Sequence, residues 1–430
     1  MKTTRIYPRI IISKKGTRWT EDGHPWIYEA EVRRIEDAGG NVLSENPENG
    51  ALVDVLSEGG KYLGTGFLSL KSKIRVRILS RNANDLFDED FWRRRVRYAL
   101  DYRKAVMPED LSACRLIFGE ADGFPGLTVD RFNDILVSEV LSIGTELRKD
   151  LLYRLLLEEL KKDGVSVRGI YERNESAIRE LEGLPQEKGW HLPSFAVLGV
   201  SADSSSLPSP LTEITENGVR YHVDAENGQK TGFFLDQKYN RRRAAALSEG
   251  RRVLDCCTHT GSFALNALKG GAASVTAVDV SRTAIEMAKH NASLNGVDID
   301  APSAPISFVV SDVFDYLTEL VQSKKHPYDF IILDPPAFTK SRKTRDHAEK
   351  GYRELNALAM RVLPRGGYLA TASCSHFVTP EEFLSVLTDA ARDAGVTLKL
   401  IEKRGQAPDH PILPLVPETE YLKFMLFQII

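Results

Sequence analysis

From about residue 211 onward, short apolar runs alternate with stretches of helical period, a pattern satisfied by a parallel sheet with helices packed on both faces. Residues 252–256 read as the first core strand, 262–269 as a helix and 274–280 as the second strand. Ser281 stands where it can cap a helix whose apolar stripe includes Ile285 and Ala288 and which ends near Gly296. Residues 307–310, 330–333 and 368–372 continue the strands, with a helix expected over 354–363 that stops at Pro364 and Gly366-Gly367. Thr379-Pro380-Glu381-Glu382 has a capping residue, proline at the first helical position and glutamate at the third, which marks another helix start. Residues 398–403 and 421–429 are expected to finish the sheet as an antiparallel edge pair.

The chain before this region has a different texture. Residues 1–82 show short alternating runs, such as 51–56 and 74–78, separated by Gly39-Gly40, Gly59-Gly60 and Gly64, which predicts a small β-barrel. Residues 83–200 read as a mixed α/β domain. It holds a helix over 88–106, two strands within 116–140 joined by Asp122-Gly123-Phe124-Pro125-Gly126, a long helix over 146–162 and a strand over 167–171. The stretch 201–210, with five serines and two prolines, reads as a surface connection to the third domain, 211–430.

Open α/β sheets bind ligands outside the carboxyl ends of their strands, so polar residues at those ends are the candidates for chemistry. Asp255, Asp279 and Asp312 follow three successive strands, and the turn after the first carries a single glycine, Gly261, rather than the glycine set that brings backbone against a pyrophosphate. Such a site suits a ligand with an amino acid end, a ribose and an adenine, a description that S-adenosylmethionine meets. Each aspartate alone is as well explained as a helix cap. A nicotinamide-dependent dehydrogenase is the minor alternative, and no metal site is expected.

Two further strand ends carry Asp334-Pro335-Pro336-Ala337-Phe338 and Ala372-Ser373-Cys374-Ser375-His376. Carbon 5 of a pyrimidine is a poor nucleophile until a thiolate adds at carbon 6, and Cys374 could supply that thiolate. Asp334 could bond the exocyclic amino group or ring nitrogen of cytosine, and Phe338 offers a stacking face to a base drawn out of its helix. His376 could assist or simply bond to backbone or water. Cys256 and Cys257 read as packing residues, and His259 is unassigned.

The charge of −3 argues against a uniformly basic nucleic-acid binder, yet residues 1–104 hold 20 Lys and Arg against 15 Asp and Glu. Basic surface must therefore be local. Lys14, Lys15 and Arg18, the group Arg93, Arg94, Arg95 and Arg97, and Arg241 to Arg243 each read as solvated faces. Lys340, Arg342, Lys343 and Arg345 follow Asp334 and are expected at the cleft mouth, where substrate phosphates arrive. The four cysteines lack paired zinc spacing, and no signal or membrane-spanning segment is evident, so the cytoplasm is the expected compartment.

The chain resembles the bacterial large-subunit ribosomal RNA cytosine-carbon-5 methyltransferases that carry an N-terminal PUA domain. The similarity lies in His24-Pro25-Trp26, Phe118-Gly119-Glu120-Ala121-Asp122-Gly123, Pro125-Gly126-Leu127 and Lys230-Thr231-Gly232-Phe233-Phe234-Leu235-Asp236-Gln237. It continues through Asp334-Pro335-Pro336, Ser373-Cys374-Ser375 and Asp409-His410-Pro411. The resemblance implies a PUA-like barrel, a middle domain that holds RNA and a Rossmann-like class I methyltransferase domain using S-adenosylmethionine. It makes Cys374 the nucleophile, places Asp255, Gly261, Asp279, Asp312 and Asp334 around cofactor and target, and puts Gln237 beside the cofactor. Large-subunit ribosomal RNA is the implied partner, no membrane is involved, and a homodimer is admitted. Two departures stand out: a longer serine-rich connection, and Cys256-Cys257-Thr258-His259 in place of an aromatic-containing turn. The competing readings are a base amino-group or guanine methyltransferase, in which Cys374 is incidental, and a non-catalytic RNA-binding assembly factor.

Overall fold

The computed structural model describes residues 5–200, 207–338 and 345–430. The chain forms two compact units. One comprises Met1–Ile214, Val223–Phe233 and Pro408–Thr419, and the other Thr215–His222, Phe234–Ala407 and Glu420–Ile430.

In the first unit, β1 (Arg9–Ile12), β2 (Trp26–Tyr28), β3 (Val32–Glu36), β4 (Leu52–Ser57), β5 (Tyr62–Leu68) and β6 (Ile74–Ser80) make one sheet in the order β2-β6-β5-β4-β1-β3. Strand alternation turns Ile10, Ile12, Val53, Val55, Val76 and Ile78 into a common core. Gly66 is obligatory there, because a Cβ would stand 2.2 Å from the Arg77 carbonyl oxygen on the neighbouring strand. A second sheet, ordered β11-β10-β9-β8-β7, contains β7 (Ala113–Phe118), β8 (Leu127–Phe132), β9 (Ile135–Val140), β10 (Gly169–Asn174) and β11 (Glu187–Trp190).

The region expected to hold two strands within 116–140 thus holds three. Asn133, in the left-handed region at φ 54°, and Asp134 turn β8 back into β9 within two residues, a short turn-forming pair that the two-strand reading passed over. Helix Glu89–Val106 starts where expected, at Asp88, whose carboxylate accepts from the Phe91 amide. The return segment Pro408–Thr419 joins this unit through Asp409: its carbonyl accepts from the Arg103 guanidinium at 2.8 Å and its carboxylate from the Arg115 amide at 2.9 Å.

Strands β12 (Leu211–Glu216) and β13 (Val219–Asp224) form a two-stranded sheet, turned by Asn217 and Gly218 at φ 53° and 75°, the pair that a tight hairpin of this kind favours. The second unit is built on β14 (Arg252–Cys256), β15 (Ser274–Asp279), β16 (Ile306–Val310), β17 (Phe330–Leu333), β18 (Tyr368–Ser373), β19 (Leu398–Arg404) and β20 (Lys423–Ile429). Their order is β16-β15-β14-β17-β18-β20-β19, with the first five parallel and β20 running antiparallel between β18 and β19. This is the doubly wound α/β architecture anticipated from the strand–helix alternation. Phe330-Ile331-Ile332-Leu333 is buried throughout, as a strand covered by helices on both faces requires.

Helix Arg345–Val362 is longer than the expected 354–363. Its first turns carry Arg345, Asp346, Glu349 and Lys350 outward, while Ala348, Tyr352 and Leu355 extend the buried stripe. Arg241 also departs from its solvated-face reading: it is buried, donating to both carboxylate oxygens of Glu216 at 2.6 and 2.8 Å. Among the described residues, no helix is long and apolar enough to cross a membrane.

Candidate active site

Five polar residues emerge at the carboxyl end of the parallel strands of the second unit. In lateral order they are Asp312 after β16, Asp279 ending β15, Asp255 at the penultimate position of β14, Asp334 directly after β17 and Cys374 directly after β18. Neighbouring strands lie about 4.8 Å apart. The sheet order reverses between β14 and β17, which opens the crevice where such sheets take ligands. The fold therefore collects on one edge residues that are up to 119 positions apart in the chain, Asp255 and Cys374.

The turn after β14 is an unusual piece of backbone. Cys257, His259 and Gly261 have φ of 60°, 51° and 79°, so two non-glycine residues occupy a region that costs each of them energy. What the turn gains is visible in its bonds. Asp255 Oδ2 accepts from the Thr258 hydroxyl at 2.5 Å and the Ala264 amide at 2.9 Å. The His259 amide donates to Asp279 Oδ2 and the Ser281 amide to Asp279 Oδ1, both at 2.9 Å. Gly261 packs where a Cβ would come within 3.0 Å of Ala288, so its lack of side chain is used twice.

One atom on this side is left over. Asp255 is fully buried, and among the described residues its Oδ1 has no hydrogen-bond partner. Burial pushes its carboxyl up to about 7, against the pull of Thr258 and Ala264, and Asp334 and Asp279 push in the same direction. An incoming ammonium would satisfy Oδ1 and favour the carboxylate. This orphan acceptor, beside the doubly anchored Asp279, fits the amino acid and ribose ends of S-adenosylmethionine. Asp312 is the most exposed of the acids, and its Oδ1 caps helix Val313–Ser323 by accepting from Phe314 and Asp315 amides at 2.8 and 3.3 Å. Cys256 is buried packing, and the Cys257 thiol is pushed well up by burial. The His259 ring stands edge-on to Phe234 at 5.2 Å, with burial lowering its pKa.

The other side is held by side chains. Gln237 lies buried and donates from Nε2 to Asp334 Oδ1 at 2.9 Å. Asn240 in turn donates to Gln237 Oε1 at 2.7 Å and to the Gly405 carbonyl at 3.1 Å, and the Arg404 Nε donates to Asn240 Oδ1 at 3.0 Å. The sequence suggested Gln237 as a neighbour of the cofactor; its amide nitrogen is committed to Asp334. Phe338 is half-buried, its ring 4.6 Å from that of Tyr352, whose hydroxyl meets the Ser375 hydroxyl at 2.9 Å. Phe338 and the Cys374 loop are thus tied to the same helix.

Lys423 was not anticipated. It opens β20 in register with Ser373 of β18, and it is buried, with Nζ donating to the carbonyls of Ser375 at 2.6 Å and Tyr421 at 2.8 Å. Burial lowers its pKa to about 8, while the neighbouring Cys374 acts the other way. A single lysine in the run Tyr421-Leu422-Lys423-Phe424-Met425-Leu426-Phe427 was the available signal, since lysine is rarely buried without a reason. Arg345 pairs with Glu349 and Glu382, both at 2.7 Å. Lys340, Arg342 and Lys343 lie outside the described residues. The His376 ring lies 5.3 Å from that of Tyr421, tilted by 34°.

Comparison with known proteins follows this geometry. A family model described as S-adenosylmethionine-dependent methyltransferase matches residues 201–428, and one described as PUA-like domain matches residues 10–81. The ribosomal RNA large subunit methyltransferase I of Aeromonas hydrophila is 39% identical over 402 residues, covering 93% of this chain and 94% of that protein. Its namesake in Klebsiella pneumoniae is 36% identical and covers 98% of both chains. Among solved structures, a Streptococcus mutans protein assigned as a SAM-dependent methyltransferase aligns with TM-score 0.76 at 20% identity over 98% of this chain and 99% of its own. A second structure, of a methyltransferase complexed with SAH, gives TM-score 0.77 at the same identity and coverage. At that identity the structural likeness concerns the fold.

Proposed function

The chain belongs to the ribosomal RNA large subunit methyltransferase I family, S-adenosylmethionine-dependent enzymes with a PUA-like domain, and from that premise we propose that it methylates carbon 5 of a cytidine in large-subunit ribosomal RNA. The observation that carries the cytosine reading is the placement of Cys374 and Asp334 at the ends of adjacent parallel strands, next to the acids that suit the cofactor.

The bound cofactor supplies a methyl group on a sulfonium sulfur. Cys374 Sγ, as thiolate, bonds carbon 6 of the base while the C5–C6 π pair shifts to carbon 5, making it the nucleophile that would take the methyl group the cofactor supplies. Loss of the carbon 5 proton to a base then restores the double bond, and Sγ departs with its electron pair. Asp334, aimed by Gln237, accepts from the exocyclic amino group or, protonated, donates to the ring nitrogen. Lys423 places a buried cation against the Cys374 loop, which favours the thiolate. Asp255, Asp279 and Asp312 would hold the cofactor, Gly261 would leave it room, and Phe338 would face the target base. The first unit holds RNA, and the reaction belongs in the cytoplasm, where ribosomal subunits are made.

Trapping tests this. Fluorine at carbon 5 cannot leave as the proton does, so RNA carrying 5-fluorocytidine should remain bonded to the wild-type protein through denaturing electrophoresis, with the adduct mapped to Cys374. Active protein that forms no such adduct overturns the covalent reading. Cys374→Ala protein that still transfers methyl groups points instead to a base amino group as acceptor.

A further inference from the structure

The first unit contains an open cavity of about 650 Å³ that no step above uses. That size lies within the range of small-ligand sites. Its floor is the end of β6 through Arg81, one wall is helix Glu89–Val106 and the other the turn around Gly123, with the return segment near Leu415 as a lip. Arg95, Tyr98, Ala99 and Tyr102 face it at the spacing that aligns side chains along one helical face.

Charges around the cavity are not balanced. Its two carboxylates are already committed: Glu120 accepts from the Trp26 indole at 2.8 Å and from Arg77 at 3.4 Å, and Asp122 from Arg103 at 2.5 Å and the Phe118 amide at 2.6 Å. Among the described residues, Arg81 and Arg95 have no carboxylate partner. Arg81 donates to the carbonyls of Thr20 and His24 at 3.3 and 3.2 Å, and Arg95 to that of Leu79 at 2.9 Å. Burial lowers both guanidinium pKa values, which marks charge that an anion would stabilise. Gly123 makes the Arg95 position available, since a Cβ there would stand 2.1 Å from the Arg95 Nη1. Tyr98 is 64% and Tyr102 37% exposed, large values for aromatic rings on a helix whose other face is core.

Two guanidiniums with no carboxylate paired to them among the described residues, beside two exposed aromatic rings in a concave site, match the parts of a nucleotide, phosphate for the former and base for the latter. We propose that this cavity holds an unpaired nucleotide of the RNA substrate, with Arg81 and Arg95 on its phosphates and Tyr98 and Tyr102 against its base. The inference rests on the RNA reading above and adds a site that anchors RNA away from the reacting base. A concave, aromatic-lined site selects single strands, because paired bases keep their faces stacked on one another.

The test uses the full chain and a fluorescently labelled single-stranded oligouridylate, with an RNA duplex and an acidic peptide of similar length as competitors. Arg81→Ala/Tyr98→Ala, which alters two side chains lining the cavity, should weaken oligouridylate binding about tenfold or more and reduce the slope of log affinity against log salt by about one. It should raise the KM for RNA while leaving kcat and S-adenosylmethionine affinity unchanged. Photocrosslinking of 4-thiouridine RNA to wild-type protein should label the peptide containing Tyr98. Unchanged affinity and slope, equal competition by duplex or acidic peptide, or crosslinks confined to other peptides would overturn the cavity assignment even where wild-type protein methylates RNA. If wild-type protein binds the cofactor but methylates no RNA, the functional reading fails first and the cavity proposal with it.

Discussion

The two halves of the candidate active site are built by different means. On the β14–β16 side, Asp255, Asp279 and Asp312 are fixed mainly by backbone amides, all within a few residues of a strand end and its following helix. On the β17–β18 side, Asp334 is aimed by a chain of side chains running through Gln237 and Asn240 to Arg404, and the Cys374 loop is braced by Lys423 and Tyr352. Backbone anchoring suits an invariant cofactor. A side-chain brace can be tuned to one base and one reaction, and it can also be damaged one residue at a time.

If that division holds, substitutions on the two sides fail differently. Cys374→Ala should lose at least about a thousandfold in turnover, the scale on which removing a nucleophile acts, and calorimetry should find S-adenosylmethionine binding intact. Loss of cofactor affinity in this variant would break the distinction. Asp255→Asn should do the reverse. An orphaned acceptor that meets a charged donor is worth about 1.5–3 kcal/mol, so cofactor Kd should rise about ten- to a hundredfold, while 5-fluorocytidine RNA still finds an intact Cys374.

The same division decides what could be read from the sequence. Strand β14, helix Ser262–Lys269 and strand β17 lie where the apolar pattern put them, and the capping box at Thr379 is made as its residues predicted. Their determinants are local. The β8–β9 turn at Asn133-Asp134 and the hairpin at Asn217-Gly218 are each marked by a turn-forming pair, but interruptions of two residues between short strands were passed over. The early turns of helix Arg345–Val362 were hidden by charged residues flanking its buried stripe. Cys374 and the acids could be nominated from strand ends alone. The brace could not: Asn240 and Arg404 are 164 positions apart, and only the fold brings them together. Arg241 makes the same point, a charge that reads as surface until Glu216 is found beside it.

Lys423 offers a pH-dependent test of the bracing side. Its folded pKa, about 8, lies below the ordinary 10.5, so folding disfavours the charged form. Between those values the unfolded chain binds the proton more readily than the native one, so stability rises with pH across this window and is flat below about 8. The shift corresponds to about 3 kcal/mol at most. Urea unfolding of wild type and Lys423→Met should therefore differ by an amount that changes between pH 8 and 10.5 and stays constant from pH 6 to 8. A constant difference throughout would mean that Lys423 titrates normally. At Asp255 the sign is opposite. Asp255 has a raised folded pKa, about 7 against 3.8, so its contribution to stability is full at low pH and lost as pH climbs through 7. The Tm gain on adding S-adenosylmethionine should grow over that interval and lose this trend in Asp255→Asn.

The smallest effect expected is the most discriminating for the brace. Asn240→Ala leaves Asp334 and Cys374 themselves unchanged, yet it releases Gln237 Oε1 and leaves Arg404 without its amide acceptor. Misplacing a catalytic group by about 1 Å can cost a hundredfold; here Gln237 still bonds Asp334 and only its own orientation loosens, so kcat should fall about tenfold with KM for RNA and cofactor nearly unchanged. Gln237→Ala should cost somewhat more, and the double variant no more than Gln237→Ala alone, because the bonds that link Asn240 to Asp334 run through Gln237. Additive losses would mean that Asn240 serves the fold of the Gly405 region instead, and the side-chain half of the site would then be no more tunable than the backbone half.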